Sequence, residues 1–409
     1  MIPMQRNSNT VTYAVGTETC IDKMKKQAAL PIFSDEACDF LDAVSKKLLQ
    51  MPEAKEYADV ITFAFWGRKA SLQQLKRNYI NDEIRIGRGI VFHISPSNVA
   101  VNFAYSLAAG LLAGNANIVR LPSKAFRQVD LICKAINEVL ADSCYMESYV
   151  CLVRYGHSKD TNDYFSSICD TRVVWGGDHT IRTLRESLIK PRANEITFAD
   201  RFSIAIIDAD AYLACEEKSK LALDFYNDTY LNDQNACTSP SIVVWLGEQS
   251  EVAKMQFWRT LHEIVKERYS LQAVQAVDKL TALCLLGENG EGAKALTRED
   301  NYIFRVKLEG LQEELLKYRG NSGFFMEYIA SDIAEITPIC INQCQTISYY
   351  GVEQKKLEKF LLECRPLGID RIVPIGTTLN FSLVWDGYDL IRSMSRQISV
   401  LPEVVKKIQ

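Results

Sequence analysis

Short apolar runs of strand character alternate along this chain with longer stretches of helical period. Strands are predicted over residues 89–94, 117–121, 149–155, 171–175, 203–207 and 241–246. Between the second and third, residues 124–140 set Phe126, Val129, Ile132, Cys133, Ile136, Val139 and Leu140 on one helical stripe, with Pro122 before it and Ser123 as the expected N-cap. An alanine- and glycine-rich helix is expected between Val99 and Gly114, where Ala104, Ala108 and Ala109 would admit a neighbouring backbone. A further helix from Ala211 to about Asn227 leads into the polar segment Leu231-Asn232-Asp233-Gln234-Asn235-Ala236-Cys237. Strand and helix in alternation indicate parallel α/β sheets, with a second α/β unit beginning after the strand that ends at Ile207.

The 409 residues suffice for two or three domains, and 47% hydrophobic with 24% charged residues exclude wholesale disorder. Lys and Arg number 47 against 51 Asp and Glu, so there is no basic surplus to hold a phosphate backbone, and nucleic acid is not an expected partner. Twelve cysteines are scattered from Cys20 to Cys364 without a CxxC pair, and no basic-apolar leader opens the chain, which predicts reduced thiols and a cytoplasmic protein. Cys340 and Cys344 lack the second pair or nearby His of a tetrahedral zinc set, so no metal is expected. The uncharged interval between Arg88 and Arg120 is long enough to cross a bilayer, but Pro96, Asn98, Gly110, Gly114, Asn115 and Asn117 interrupt it. Strand, helix and strand in a protein core are expected there, and no membrane span. Residues 287–292 read as a surface turn whose glutamates would repel a pyrophosphate.

Two short segments carry candidate chemistry. Cys237 lies in Gln234-Asn235-Ala236-Cys237-Thr238-Ser239-Pro240, a polar turn before an apolar strand that could expose a thiol; a cysteine in a loop is by itself more often inert than catalytic. Asn98 closes His93-Ile94-Ser95-Pro96-Ser97-Asn98, where its amide can donate to a developing oxyanion or simply cap the following helix. His93, His157, His179 and His262 are expected in structural or surface roles, so no proton donor is assigned.

Ile94-Ser95-Pro96-Ser97-Asn98, then Leu107-Ala108-Ala109-Gly110-Leu111-Leu112-Ala113-Gly114-Asn115, then Pro122-Ser123-Lys124 resemble, in order and spacing, three segments of the aldehyde dehydrogenase superfamily. These are its proline–Asn loop, its alanine–glycine helix and its strand-to-helix turn. Val174-Trp175-Gly176-Gly177-Asp178 falls at that family's glycine turn beside the cofactor, and Gln234 to Cys237 at its nucleophile loop. Within the superfamily the chain most resembles the LuxC-type acyl-CoA reductases, also called fatty-acyl or acyl-protein thioester reductases. The phrases that carry this are Leu112 to Leu121, Ala236-Cys237-Thr238-Ser239-Pro240, Gln345-Thr346-Ile347-Ser348, Asp370 to Gly376 and Trp385 to Arg392. The similarity covers roughly residues 84–396, and the first 80 residues carry little of it.

The resemblance implies an α/β, aldehyde-dehydrogenase-like fold of two Rossmann-like parallel-sheet domains with the active-site cleft between them. Residues 1–200 would bind cofactor, 201–376 would carry the nucleophile, and 377–409 would return to the first domain or form an oligomer interface. It implies Cys237 as nucleophile, Asn98 and the Cys237 backbone N–H as oxyanion donors, and a dinucleotide bound by Ile94, Ser95, Pro96, Arg120, Ser123, Lys124, Trp175, Gly176 and Gly177. The substrate would be an acyl-CoA or another acyl thioester, with an acyl-protein synthetase as partner and a homo-oligomer as the assembly. Glu327 and Glu335 both lie near the place of the glutamate that holds the nicotinamide ribose.

Two departures refine this. Oxidising members have a Glu-Leu-Gly-Gly-Lys segment whose Glu activates water, whereas Thr197-Phe198-Ala199-Asp200-Arg201 has no matching glutamate, as suits a reductase whose acyl intermediate must escape hydrolysis. Lys124 stands where NAD-preferring members place an acid, and an ammonium there suits the 2′-phosphate, so NADPH is the expected cofactor. The family lysine just before Pro-Ser is Leu121 here, with Arg120 one residue earlier. The expected activity is reduction of an acyl thioester to aldehyde through an acyl-cysteine. The alternatives are a thiol-dependent thioesterase and a non-enzymatic acyl-carrying scaffold.

Overall fold

The computed structural model describes residues 11–79, 83–142, 144–289, 292–296 and 299–401. The chain forms two compact units, residues 200–387 making the second and the rest the first.

In the first unit the strands are β1 (Thr12–Val15), β2 (Ile84–Gly87), β3 (Ile90–Ile94), β4 (Ala116–Arg120), β5 (Val150–Arg154), β6 (Thr171–Trp175) and β7 (Asn194–Phe198). Six of them make one sheet in the order β1-β5-β4-β3-β6-β7, in which only β1 runs antiparallel to its neighbour. β3 and β6 are buried along their whole length, because helices on both faces of a parallel sheet leave no strand face in water. The helix Asn102–Leu112 joins β3 to β4 and comes close to the sheet at Gly110. A Cβ at Gly110 would lie 1.9 Å from Asn117 Oδ1. The chain returns to this unit after residue 387, where Ser395–Ile398 pairs antiparallel with β2.

In the second unit the strands are β8 (Phe202–Asp208), β9 (Pro240–Leu246), β10 (Ala293–Ala295), β11 (Phe304–Leu308), β12 (Phe324–Ala330), β13 (Cys344–Tyr350) and β14 (Arg371–Pro374). Their order is β10-β11-β12-β9-β8-β13-β14, parallel except for the β10–β11 pair. One face packs Ile204, Ile206, Ile242, Val244 and Met326 into an aliphatic core. The other packs Trp245, Phe257, Phe225 and Phe325 into an aromatic one.

Several local expectations change. The helix after β4 is Arg127–Asp142, so it starts three residues later than its apolar stripe suggests, and Ser123 lies too far upstream to cap it. The helix after Ile207 is broken into Ala209–Ala214 and Lys218–Thr229, the first capped by Asp208. Gly287 is the last turn of the helix Ala273–Asn289, not a loop residue. The uncharged interval is β3, helix and β4, and among the described residues no helix is long and apolar enough to cross a membrane.

Candidate active site

In the first unit the order of the sheet reverses between β3 and β6: the chain runs from β3 outward through β4 to β5, then crosses back to place β6 on the other side of β3. Such a switch point opens a crevice beyond the carboxyl ends of the two strands, where α/β sheets bind ligands. Ile94 and Val174 are register partners at that edge, so the loop 95–98 and the turn at Gly176 and Gly177 leave the sheet side by side. Ser123 and Lys124 follow β4 on the same edge, since β4 is parallel to β3.

Of the expected cofactor residues, Ser123 and Lys124 are exposed, while Ser95, Pro96, Arg120, Gly176 and Gly177 are half-buried; the expected oxyanion donor Asn98 is exposed. Ser95 Oγ is buried without a hydrogen-bond partner among the described residues, an orphaned polar atom beside the crevice. Asn98 precedes the helix Asn102–Leu112, whose N-cap is Val101, so Asn98 does not cap it. Lys124 lies 5.3 Å over the Phe126 ring and makes no ion pair among the described residues.

Three expected contacts change character. Ile94 is 2% exposed, leaving its backbone as the part that can meet a ligand. Trp175 is turned into the core, stacked on Phe198 at 3.6 Å and donating Nε1 to Ser106 Oγ at 2.9 Å, so it too offers only backbone. Arg120 donates to the carbonyl of Gly156 at 3.2 Å and lies over the Tyr155 ring. Ser106 also meets His93 Nδ1 at 2.8 Å, and burial lowers His93 to about 4, making it a neutral core residue.

Cys237 belongs to a loop built on constraint. Asp233 and Gln234 have φ of +52° and +57°, left-handed values that non-glycine residues adopt only when their surroundings enforce them. Gln234 supplies that enforcement. Its Nε2 donates to the carbonyls of Pro240 (2.9 Å) and Phe324 (3.1 Å), and its Oε1 accepts from the amides of Gly323 (2.9 Å) and Phe324 (3.1 Å). Gly323 must be glycine, because a Cβ there would lie 2.3 Å from the Tyr302 carbonyl. Ser203 Oγ then donates to the Cys237 carbonyl at 2.7 Å, and Ser239 Oγ to that of Asp228 at 2.7 Å.

Parallel register brings the starts of β8, β9, β13 and β14 to one edge. Cys237 precedes β9, Arg201 precedes β8, Gln345 is the second residue of β13 and Arg371 opens β14. Burial pushes the half-buried Cys237 thiol up to about 12; the Asp386 carboxylate adds to the rise, while Arg201 and a hydrogen bond from Gln345 oppose it. Arg201 pairs with Asp370 and donates to the Asn342 carbonyl at 2.9 Å.

Gln345, Arg371, Asp386 and Arg201 were not singled out in the sequence, although the first three fall inside the phrases that carried the resemblance. Both glutamates considered for the ribose already have partners. Glu327 is fully buried, accepting from Trp258 Nε1 at 2.9 Å and paired with Arg305 at 3.4 Å and Lys254 at 3.6 Å. Glu335 closes a capping box and accepts from Tyr328 OH at 2.7 Å.

Solved structures place this architecture. Aldehyde dehydrogenase 21 from Physcomitrella patens matches with a TM-score of 0.68 at 12% identity, covering 99% of this chain and 97% of that one. Lactaldehyde dehydrogenase from Escherichia coli matches at 0.66 and 13% identity, covering 97% and 96%. A NAD-dependent aldehyde dehydrogenase from Sinorhizobium meliloti matches at 0.67 and 12%, covering 97% and 92%. The fold is that of the aldehyde dehydrogenases, two α/β units with parallel sheets. No curated protein sequence matches. A sequence model of the acyl-CoA reductase (LuxC) family matches residues 22–397, so the chain belongs to that family and is an oxidoreductase. The match reaches some sixty residues further toward the N-terminus than the motifs alone suggested.

Proposed function

We propose that this protein reduces an acyl-CoA to its aldehyde with NADPH, through a thioester on Cys237. The observation that carries the reading is the Cys237 loop: a half-buried thiol beside a strained backbone that Gln234 clamps from both sides. Cys237 attacks the thioester carbonyl and the carrier thiol departs, leaving the acyl group on sulfur. Bound NADPH supplies the hydride that this acyl group accepts. The Asn98 amide and the Cys237 backbone N–H donate to the resulting oxyanion, whose collapse frees aldehyde and thiolate. No glutamate occupies the 197–201 segment to activate water, which protects the acyl-enzyme from draining to the acid.

For the cofactor, the β3–β6 switch point, the exposed Ser123 and Lys124 and the orphaned Ser95 hydroxyl fit a dinucleotide, and Lys124 suits its 2′-phosphate. An acyl-protein synthetase as acyl donor and a homo-oligomeric assembly belong to the same reading. Incubation with acyl-CoA should add one acyl mass to Cys237, absent in Cys237→Ser, and NADPH should discharge it as aldehyde. Discharge to acid at a rate indifferent to NADPH would instead make the protein a thioesterase, and an adduct that never turns over would make it a carrier.

A further inference from the structure

Arg319 is a charged residue beside the Cys237 loop that the chemistry above does not use. It follows the short helix Glu313–Tyr318, whose Leu315, Leu316 and Tyr318 pack into the aliphatic core of the second unit. Its guanidinium lies 4.1 Å over the ring of Phe202, the first residue of β8. The next residue, Ser203, donates to the Cys237 carbonyl at 2.7 Å. On its other side Arg319 leads into the turn that holds the loop: the Ser322 amide donates to the Asp233 carbonyl and the Gly323 amide to Gln234 Oε1, each at 2.9 Å. The guanidinium is thus tied to the Cys237 loop from two directions, both within the second unit.

Arg319 is half-buried, and its side chain makes no hydrogen bond or ion pair among the described residues; Nη1 is out of water with no acceptor. Glu313 and Glu314 of the preceding helix are exposed and do not pair with it. The other arginines at this edge are engaged, Arg201 with Asp370 and Arg371 with the carbonyls of Thr378 and Asn380. A partly desolvated guanidinium without a partner costs stability that an apolar side chain in its place would not. A guanidinium over a ring gives its face to the ring and keeps its in-plane N–H fork for an anion, and phosphate matches that fork.

We propose that Arg319 binds a phosphate of the coenzyme A that delivers the acyl group. The inference rests on the reading of an acyl-CoA as substrate. Coenzyme A has two sources of that anion, its pyrophosphate and its 3′-phosphate, whereas pantetheine has the same thiol arm and no phosphate. A residue that only supports Phe202 would not tell these thiols apart.

The test is the rate at which phenylglyoxal labels Arg319 in the full chain, located by peptide mass spectrometry, with CoA, dephospho-CoA or pantetheine present. Saturating CoA should slow the labelling about tenfold, and pantetheine should leave it unchanged. Protection by dephospho-CoA assigns the contact to the pyrophosphate, and protection by CoA alone assigns it to the 3′-phosphate. In calorimetric titration Arg319→Gln should bind CoA about ten- to a hundredfold more weakly than the native chain and pantetheine equally well. Labelling that is the same with and without CoA overturns the proposal, whether or not the variant folds, and so does a variant that loses affinity for CoA and pantetheine alike. An acyl adduct on Cys237 without protection of Arg319 removes this inference alone; protection without an adduct removes the proposed function alone.

Discussion

In the first unit the candidate residues follow their strands, at the carboxyl edge of the sheet; in the second they precede them, at the amino edge. The carboxyl edge is where a helix begins after each strand, so backbone N–H groups and dipole ends are ready to meet phosphate. Little side-chain machinery is needed there, and most residues at that edge are small, exposed or used through backbone. At the amino edge the chain arrives from helix carboxyl ends, which offer an anion nothing. The thiol's surroundings are accordingly built from side chains: Gln234 holds the loop, while Arg201 and Gln345 only partly offset the rise that burial and Asp386 impose on the thiol.

That contrast breaks most severely at Gln234. Gln234→Leu leaves two amides and two carbonyls of a buried loop without partners, and the lost hydrogen bonds should cost the second unit about 3–5 kcal/mol. Urea unfolding followed by tryptophan fluorescence checks it. An unchanged midpoint would mean that the left-handed backbone at Asp233 and Gln234 is held by something else.

Acid should separate the units next. Folding lowers His93, in the first unit, to about 4 from an ordinary 6.5, so its contribution is complete above the unfolded value and is lost as pH falls through 4. Asp228 and Asp386, in the second, are raised to about 6, so the penalty of holding them ionised grows between about pH 4 and about pH 6 and is relieved on acidification. The His93 contribution is about 3 kcal/mol. Pepsin at about pH 4.5 should therefore cut first within residues 1–199, and first cuts in the second unit would contradict the assignment.

How much of this was legible in the sequence divides along the same line. All six predicted strands lie inside their sheets and have a parallel neighbour, because a strand buried on both faces is an uninterrupted apolar run. β7, β11, β12 and β13 were not predicted: Glu195, Arg305, Lys307, Glu327 and Gln345 put polar residues in runs whose neighbours are apolar. The residues proposed for the cofactor each lie within a few residues of their own strand end, so a local pattern could single them out. Gln345 and Arg371 come to the same sheet edge as Cys237 only through strand register, which no local pattern encodes. The shift of the helix after β4 was invisible because Phe126 continues its stripe from outside the helix.

Cofactor selection is a smaller effect confined to the first unit. Lys124→Glu replaces an unpaired ammonium with a carboxylate and should raise KM for NADPH about ten- to a hundredfold while leaving acylation of Cys237 by acyl-CoA unchanged. Loss of acylation in that variant would show that the two half-sites are not chemically separable.

The finest distinction is drawn by Ser123→Ala. A helix N-cap replaced by alanine costs about 1 kcal/mol, and the apolar stripe from residue 124 would assign Ser123 that task. The helix begins at Arg127, so Ser123 is an exposed turn residue with no helix amide to satisfy. Thermal unfolding of Ser123→Ala should coincide with that of the native chain, while KM for NADPH rises a few-fold. A lowered melting temperature with unchanged KM would return Ser123 to a structural role and leave the carboxyl edge of the first sheet one hydroxyl poorer as a dinucleotide site.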